Sequence, residues 1–296
     1  MNTLFFETLS SSWILYSFVG MLCLGISLVF YKLPSSRKDV DANGLTVWSG
    51  FFFLLFAVIF FLPHVQVSSK VVVMVALAQG IFFTLRTLLQ MHGLKYAATN
   101  ALFPTSSSTA LLIVIAAGIL FFGDSLSSLQ QLGVALAVLV LFLFAFKGGK
   151  LSFSSFEAVK IWLGIVVLSA AGNLLNKVAA DLGDIHTFQF FLYVFIFISG
   201  LVMLLVQKKG EAKKALSGKA TFLGGLGIGI FGFFGAWALI IALGKGPVSV
   251  AQTINSSYVI VTALLSSLFF GEVITRKKAI LIALGIVALI LIRLGS

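Results

Sequence analysis

The sequence predicts an all-α integral membrane protein whose ten transmembrane helices form two inverted five-helix repeats. Three observations carry this reading. The chain is 60% hydrophobic and only 10% charged, against about 25% charged in a soluble domain, so lipid has to be the solvent for most of its surface. Ten apolar segments approach the ~20 residues that a span requires. One short stretch also occurs twice: Leu120-Phe121-Phe122-Gly123-Asp124 and Leu268-Phe269-Phe270-Gly271-Glu272 lie 148 residues apart in a chain of 296.

The ten segments are 12–32, 45–62, 71–91, 97–121, 128–146, 159–179, 186–206, 221–243, 248–270 and 277–293. Helices are expected throughout, because isolated strands leave backbone groups unpaired in lipid. Pro34, Pro63, Gly148-Gly149 and Gly244-Lys245-Gly246-Pro247 mark stops between segments. The longest polar loop, Gln207 to Lys219, carries five Lys. No stretch is left for a soluble domain. The duplicated turn divides the chain into a first repeat, 1–147, and a second, 148–296. Five spans are an odd number, so the second repeat enters the membrane in the opposite sense. A pseudo-two-fold axis then lies in the membrane plane, with a substrate site near the midplane between the halves.

The net charge of +11 does not point to nucleic acid, because the basic residues sit in short loops between apolar runs. Lys32, Arg37, Lys38, Lys95, Lys147, Lys150, Lys160, Lys208, Lys209, Lys213, Lys214, Lys219, Arg276, Lys277 and Lys278 fall on one side. Only Lys70, Lys177, Lys245 and Arg293 fall on the other. This bias sets the first side in the cytoplasm and both termini outside. The single cysteine, Cys23, excludes an intrachain disulfide and a multi-Cys metal site. The first apolar run has no basic region before it and is long enough to span, so no cleavable signal peptide is read.

Ten spans in two five-helix repeats, each with a Gly-acid turn between its fourth and fifth helix, resemble the EamA-like branch of the drug/metabolite transporter superfamily. Ala242-Leu243-Gly244-Lys245-Gly246-Pro247-Val248-Ser249 and Leu268-Phe269-Phe270-Gly271-Glu272 are close to that family's second-repeat pattern. The resemblance covers essentially the whole chain and specifies the fold far better than the substrate. It implies a plasma-membrane transporter of small metabolites, with a central cavity lined mainly by helices three, four, eight and nine. Two departures stand out. Ten-helix members usually keep both termini in the cytoplasm, whereas the charges here place them outside. Asp124 also stands where Glu is usual in the first repeat.

The candidate site residues are polar groups placed inside spans. Arg86, between Phe82-Phe83-Thr84-Leu85 and Thr87-Leu88-Leu89, costs about 2.5–3.5 kcal/mol at a helix centre on insertion scales, so it is expected to face a cavity. Gln79, Arg86 and Gln90 share one helical face. The guanidinium suits a substrate carboxylate or phosphate. Its structural alternative is a residue that bonds backbone carbonyls. In the fourth span Asn100, Pro104, Ser107 and Ser108 share a face, and Pro104 is expected to loosen the helix at mid-depth. Close packing of small hydroxyls is the alternative there. In the ninth span Gln252, Asn255 and Ser256 occupy the matching place. Asn176 of the sixth span and Trp237 of the glycine-rich eighth complete the set, and Trp237 equally suits plain packing.

His64, His92 and His186 show no metal spacing, and no nucleophile–base set appears, so neither a metal, a cofactor nor an enzyme activity is expected. Asp124 and Glu272 are read as structural acids serving the helix that follows each turn. The function that results is a secondary transporter of a small polar metabolite, of the amino acid or organic anion class, working by alternating access with Arg86 as anchor. The alternative is a flippase or carrier of a lipid-linked or lipophilic substrate. No Asp or Glu sits mid-span to carry a proton, which leaves the coupling ion open. The partners implied are a small-molecule substrate and membrane lipid, and no nucleic acid.

Overall fold

The computed structural model describes residues 13–31, 33, 40–67, 69–93, 99–145, 156–205, 215–271 and 273–296. Among them every predicted span is a helix: α1 (Trp13–Tyr31), α2 (Ala42–Phe60), α3 (Lys70–Gly93), α4 (Thr99–Phe121), α5 (Ser128–Ala145), α6 (Phe156–Asp181), α7 (Ile185–Leu205), α8 (Lys219–Lys245), α9 (Val248–Phe270) and α10 (Arg276–Leu294). A 3-10 turn, Leu62–His64, follows α2. No strand occurs among the described residues. Seven of the helices are long and apolar enough to cross a membrane by length and composition.

Local chemistry sets the helix ends. Asp41 caps α2 by accepting hydrogen bonds from the backbone N–H groups of Asn43 and Gly44 at 2.9 and 2.8 Å. Ser127 and Gln130 form a reciprocal box at the start of α5, in which Gln130 Oε1 accepts from the Ser127 N–H and Ser127 Oγ accepts from the Gln130 N–H. Thr275 does the same work for α10, accepting from the Lys278 N–H at 3.3 Å. Gly123 and Gly271, the glycines of the duplicated turn, both take left-handed backbone angles, with φ of +69° and +64°. Glycine adopts these without the steric penalty that other residues meet. Glu272 lies outside the described residues.

The helices pack mostly across the two halves of the chain. α1 lies against α8 and α9, and α6 lies against α3 and α4. α2 meets α8, and α7 meets α3. The other large cross-half contacts pair helices five apart in order: α2 with α7, α4 with α9, α5 with α10. Exchanging α1–α5 for α6–α10 leaves this set of contacts unchanged.

The α8 glycines make its part of this packing possible. A Cβ at Gly225 or Gly229 would collide with the Cβ of Trp48 or Phe52 on α2, and one at Gly232 would come within 2.8 Å of the Phe53 ring. On the neighbouring face, a Cβ at Gly235 would lie 2.9 Å from Leu24 Cγ of α1. These spacings of three and four residues make a smooth groove into which aromatic side chains of the first half fit. α8 runs unbroken through all of them, so the glycines serve close contact rather than a bend.

The expected break in the fourth span is not there, since α4 is continuous through Pro104. Its proline stands six positions into the helix, and the chain breaks elsewhere. α9 is interrupted at Ser257, which separates Val248–Ser256 from Tyr258–Phe270. At the interruption the Ser257 N–H donates to both Thr253 O and Ile254 O, and Ser257 Oγ bonds Thr253 O at 3.0 Å.

Candidate functional site

Polar groups inside the helix bundle gather in three places. The first surrounds Arg86. This residue stands seven positions before the end of α3 at Gly93, or about 10 Å along the axis. It therefore lies about 7 Å past the middle of the helix, toward its C-terminal end. Its side chain is half-buried, its Cζ sits 4.9 Å from the centre of the Phe83 ring, and its Nε is buried with no hydrogen-bond partner among the described residues. The Tyr31 and Tyr258 hydroxyls lie within its electrostatic reach. Tyr31 faces Ser49, and the Tyr258 hydroxyl donates to Ser107 Oγ at 3.5 Å. Five helices, α1 to α4 and α9, thus bring a cation, two phenols and two alcohols together. Tyr31 keeps 41% of its surface, while the Arg86 Nε is buried.

The second place joins α3 to α6. Gln79 Nε2 donates to Asn176 Oδ1 at 3.2 Å, while Gln79 Oε1 is buried without a partner. Gly172 admits this pair, for a Cβ there would approach Gln79 Oε1 to 2.8 Å. The third is the first segment of α9, where Gln252 is 1% and Asn255 6% exposed. Gln252 Nε2 and Asn255 Oδ1 have no partner among the described residues, and Asn255 Oδ1 faces Gly20 of α1. An unsatisfied buried polar atom costs about 1–3 kcal/mol, so a fold keeps such atoms where something else gains from them.

The structure thus brings together most of the residues singled out in sequence. Arg86 and Ser107 border one cluster, Gln79 and Asn176 bond each other, and Gln252 and Asn255 point their amides inward from one helix turn. Trp237 stands apart in an aromatic stack, with its ring centre 5.2 Å from that of Phe61 and 6.2 Å from Phe233. The α4 backbone carries Asn100, but its side chain, like that of Pro104, lies outside the described residues. Tyr31, Ser49 and Tyr258 of the Arg86 cluster were not singled out in sequence, nor were the buried Gln189 and Tyr193 of α7. Gln189 is fully buried, and neither its amide atoms nor the buried Tyr193 hydroxyl has a partner among the described residues. Their spacing of four residues on one face was the available signal. Lys177 bonds Asp181 Oδ1 at 2.7 Å and the Leu243 carbonyl at 2.9 Å, closing the end of α8 rather than only anchoring at the membrane surface.

Asp124 does not serve the helix that follows it. Its carboxylate accepts hydrogen bonds from the Val248 N–H at 3.2 Å and the Ser249 N–H at 2.7 Å, and a further one from Ser249 Oγ. It therefore caps α9, in the other half of the chain, at the end opposite the basic loops. Gly118 makes room for this, because a Cβ there would lie 2.6 Å from Asp124 Oδ2 and 2.8 Å from Val248 Cγ1.

Comparison with known proteins agrees with this architecture. Residues 158–294 match the family model described as the EamA-like transporter family. A crystal structure, titled only as that of a protein, superposes with a TM-score of 0.71 over 95% of this chain and 99% of its own, at 16% identity. At that identity the likeness shows the fold alone. No curated protein matches the sequence significantly.

Proposed function

We propose that the chain, whose residues 158–294 match the EamA-like transporter family, is a drug/metabolite transporter that moves a small anionic or zwitterionic metabolite by alternating access, with Arg86 as the anchor. The family match implies a membrane transporter of small solutes. The identity of the site rests on one observation above the others: the Arg86 guanidinium has a buried Nε with no partner among the described residues, inside a transmembrane bundle. A charge in such a place needs a counter-charge, and among the described residues no carboxylate forms an ion pair with it. A substrate carboxylate or phosphate supplies that charge and takes two parallel hydrogen bonds from the planar fork. The phenols of Tyr31 and Tyr258 offer donors to the remaining oxygens. Gln79, Asn176, Gln252 and Asn255 offer donors and acceptors for the rest of a polar molecule, and Asn100 and Ser107 stand on the helix between them.

Two inverted repeats, 1–147 and 148–296, are the mechanical basis of this reading. The exchange symmetry of the helix contacts and the matched left-handed glycines support it. In such an arrangement the halves interconvert two packings by swapping roles, and the site opens alternately to each side. On the charge bias the basic face is cytoplasmic and both termini lie outside, and the family match points to the plasma membrane.

Reconstituted protein in liposomes, tested by counterflow against a panel of amino acids, organic anions and lipophilic compounds, decides the matter. Exchange of an anionic or zwitterionic compound that is lost in Arg86→Ala supports the anchor. Exchange that survives Arg86→Ala removes it. Movement of lipophilic compounds alone would favour a lipid-type carrier.

A further inference from the structure

We propose a second binding site, for a first-row transition-metal ion, between His64 and His186 at the membrane face opposite the basic loops. The two histidines come from different halves of the chain. His64 ends the 3-10 turn after α2, and His186 stands in the first turn of α7. Their ring centres are 5.3 Å apart with planes tilted by 41°. Two imidazoles on one tetrahedral ion, with metal–nitrogen bonds of about 2.0–2.1 Å, have ring centres about 5.2 Å apart. The observed separation therefore already suits the ion. Both rings line a cleft of about 600 Å³, together with Gln66, Gly183 and Asp184. His64 is exposed and His186 half-buried, so the cleft admits a hydrated ion.

The frame around the pair is fixed from below. The Gln66 N–H donates to Thr187 Oγ1 at 3.2 Å, and Thr187 Oγ1 donates back to the Gln66 carbonyl at 3.3 Å. Thr187 is fully buried, as is Phe61, whose ring lies 5.6 Å from that of His186. These contacts hold the two loops in register with no ion present, which lowers the cost of ordering the ligands. Asp184 adds a negative charge within reach of His186, while its Oδ1 accepts from the Thr187 N–H at 3.1 Å. Among the described residues no group of three or more His, Cys, Asp or Glu gathers as a metal site. The protein therefore supplies two nitrogens and water fills the other positions. Imidazole ligands favour Zn²⁺, Ni²⁺ and Cu²⁺ over Mg²⁺ or Ca²⁺. A bound ion joins the first half of the chain to the second at this face.

The test is titration of Zn²⁺ alone into the detergent-solubilised full chain, by calorimetry and by melting temperature, with Mg²⁺ as control. Saturable binding of about one Zn²⁺ per chain, with a higher melting temperature, is expected. His64→Ala and His186→Gln should each weaken it at least about tenfold, since even outer-shell partners are worth about 10–100-fold. His92→Ala should leave it unchanged. Absence of saturable Zn²⁺ binding to the wild-type chain overturns the proposal, as does binding that both histidine variants retain. Neither reading depends on transport, so the result stands apart from the fate of Arg86.

Discussion

Replacing Asp124 by alanine tests how the two halves are joined. The carboxylate receives two backbone N–H groups and one hydroxyl, all from Val248 and Ser249. Both of those residues are fully buried, so the alanine variant strands two backbone donors at the start of α9, while the Ser249 hydroxyl can rotate to another acceptor. Each stranded donor costs about 1–3 kcal/mol. Relaxation of the adjoining turn, which lies at the membrane face, recovers part of this, and about 2–4 kcal/mol remains. Chains of 150–250 residues lose about 2–4 °C of Tm per kcal/mol, and a larger one falls at the low end, so the expected drop is about 4–8 °C. Asp124→Asn keeps an acceptor oxygen and a good capping residue, and should cost only about 1 kcal/mol. Ser249→Ala removes the hydroxyl bond and leaves both backbone bonds. The double variant Asp124→Ala with Ser249→Ala should be less destabilised than the sum of the two, by about 1 kcal/mol. Thermal unfolding of purified protein in one detergent, followed by intrinsic fluorescence, measures all four. An Asp124→Ala protein that melts within about 1 °C of wild type, or strict additivity with Ser249→Ala, would refute the cross-half cap.

Other expectations follow from the same geometry. Arg86→Lys keeps the charge but loses the planar fork, so counterflow should fall by about tenfold or more without loss of folded protein, and full activity in Arg86→Lys would rule out bidentate recognition. Gln252→Leu removes an amide whose buried Nε2 has no partner among the described residues. It should melt at or above the wild-type temperature, by up to about 1 kcal/mol in stability, while transport declines; a lower Tm would mean the amide is satisfied in the folded chain. Gly229→Leu drives a side chain into Phe52, and the expected result is a sharp loss of monodisperse protein on size-exclusion chromatography. A reporter fused after Ser296 should give an extracytoplasmic signal, and a cytoplasmic one would overturn the orientation drawn from the lysines and arginines.

The ten helices were legible because lipid imposes one constraint along the whole chain, and an apolar run of about 20 residues has few other uses. The duplicated turn was legible because glycine is needed at the same left-handed angle in both places, Gly123 and Gly271. Which faces look inward was harder to read. Helices that are apolar on every side give little phase information. Tyr31 and Tyr258 therefore passed as ordinary span residues, although they converge with Arg86 from opposite halves. The partner of Asp124 was illegible for a different reason. Local rules offer the next helix, but Ser127 and Gln130 already cap α5, which frees the acid for α9. Pro104 misled because a membrane helix can carry a proline in its interior without breaking, and α4 stays continuous through it. His64 and His186 carried no spacing signal, since only the fold brings the two loops together.

The interleaving of the halves has a consequence for how the chain is made. Within the first half, α1, α2 and α3 share no substantial contact with one another among the described residues. Their main partners are α6, α7, α8 and α9. When the ribosome has delivered only the first five helices, three of them wait in the bilayer with their grooves and aromatic ridges unmatched. Burial of those faces begins as α6 to α9 arrive, and α10 then covers α5. The nascent chain therefore spends roughly half its synthesis time as loosely associated spans, with Arg86 on a helix whose main neighbours do not yet exist. Lipid, insertion factors or membrane chaperones have to shelter that arginine in the interval, and quality control can recognise an unfinished chain by it.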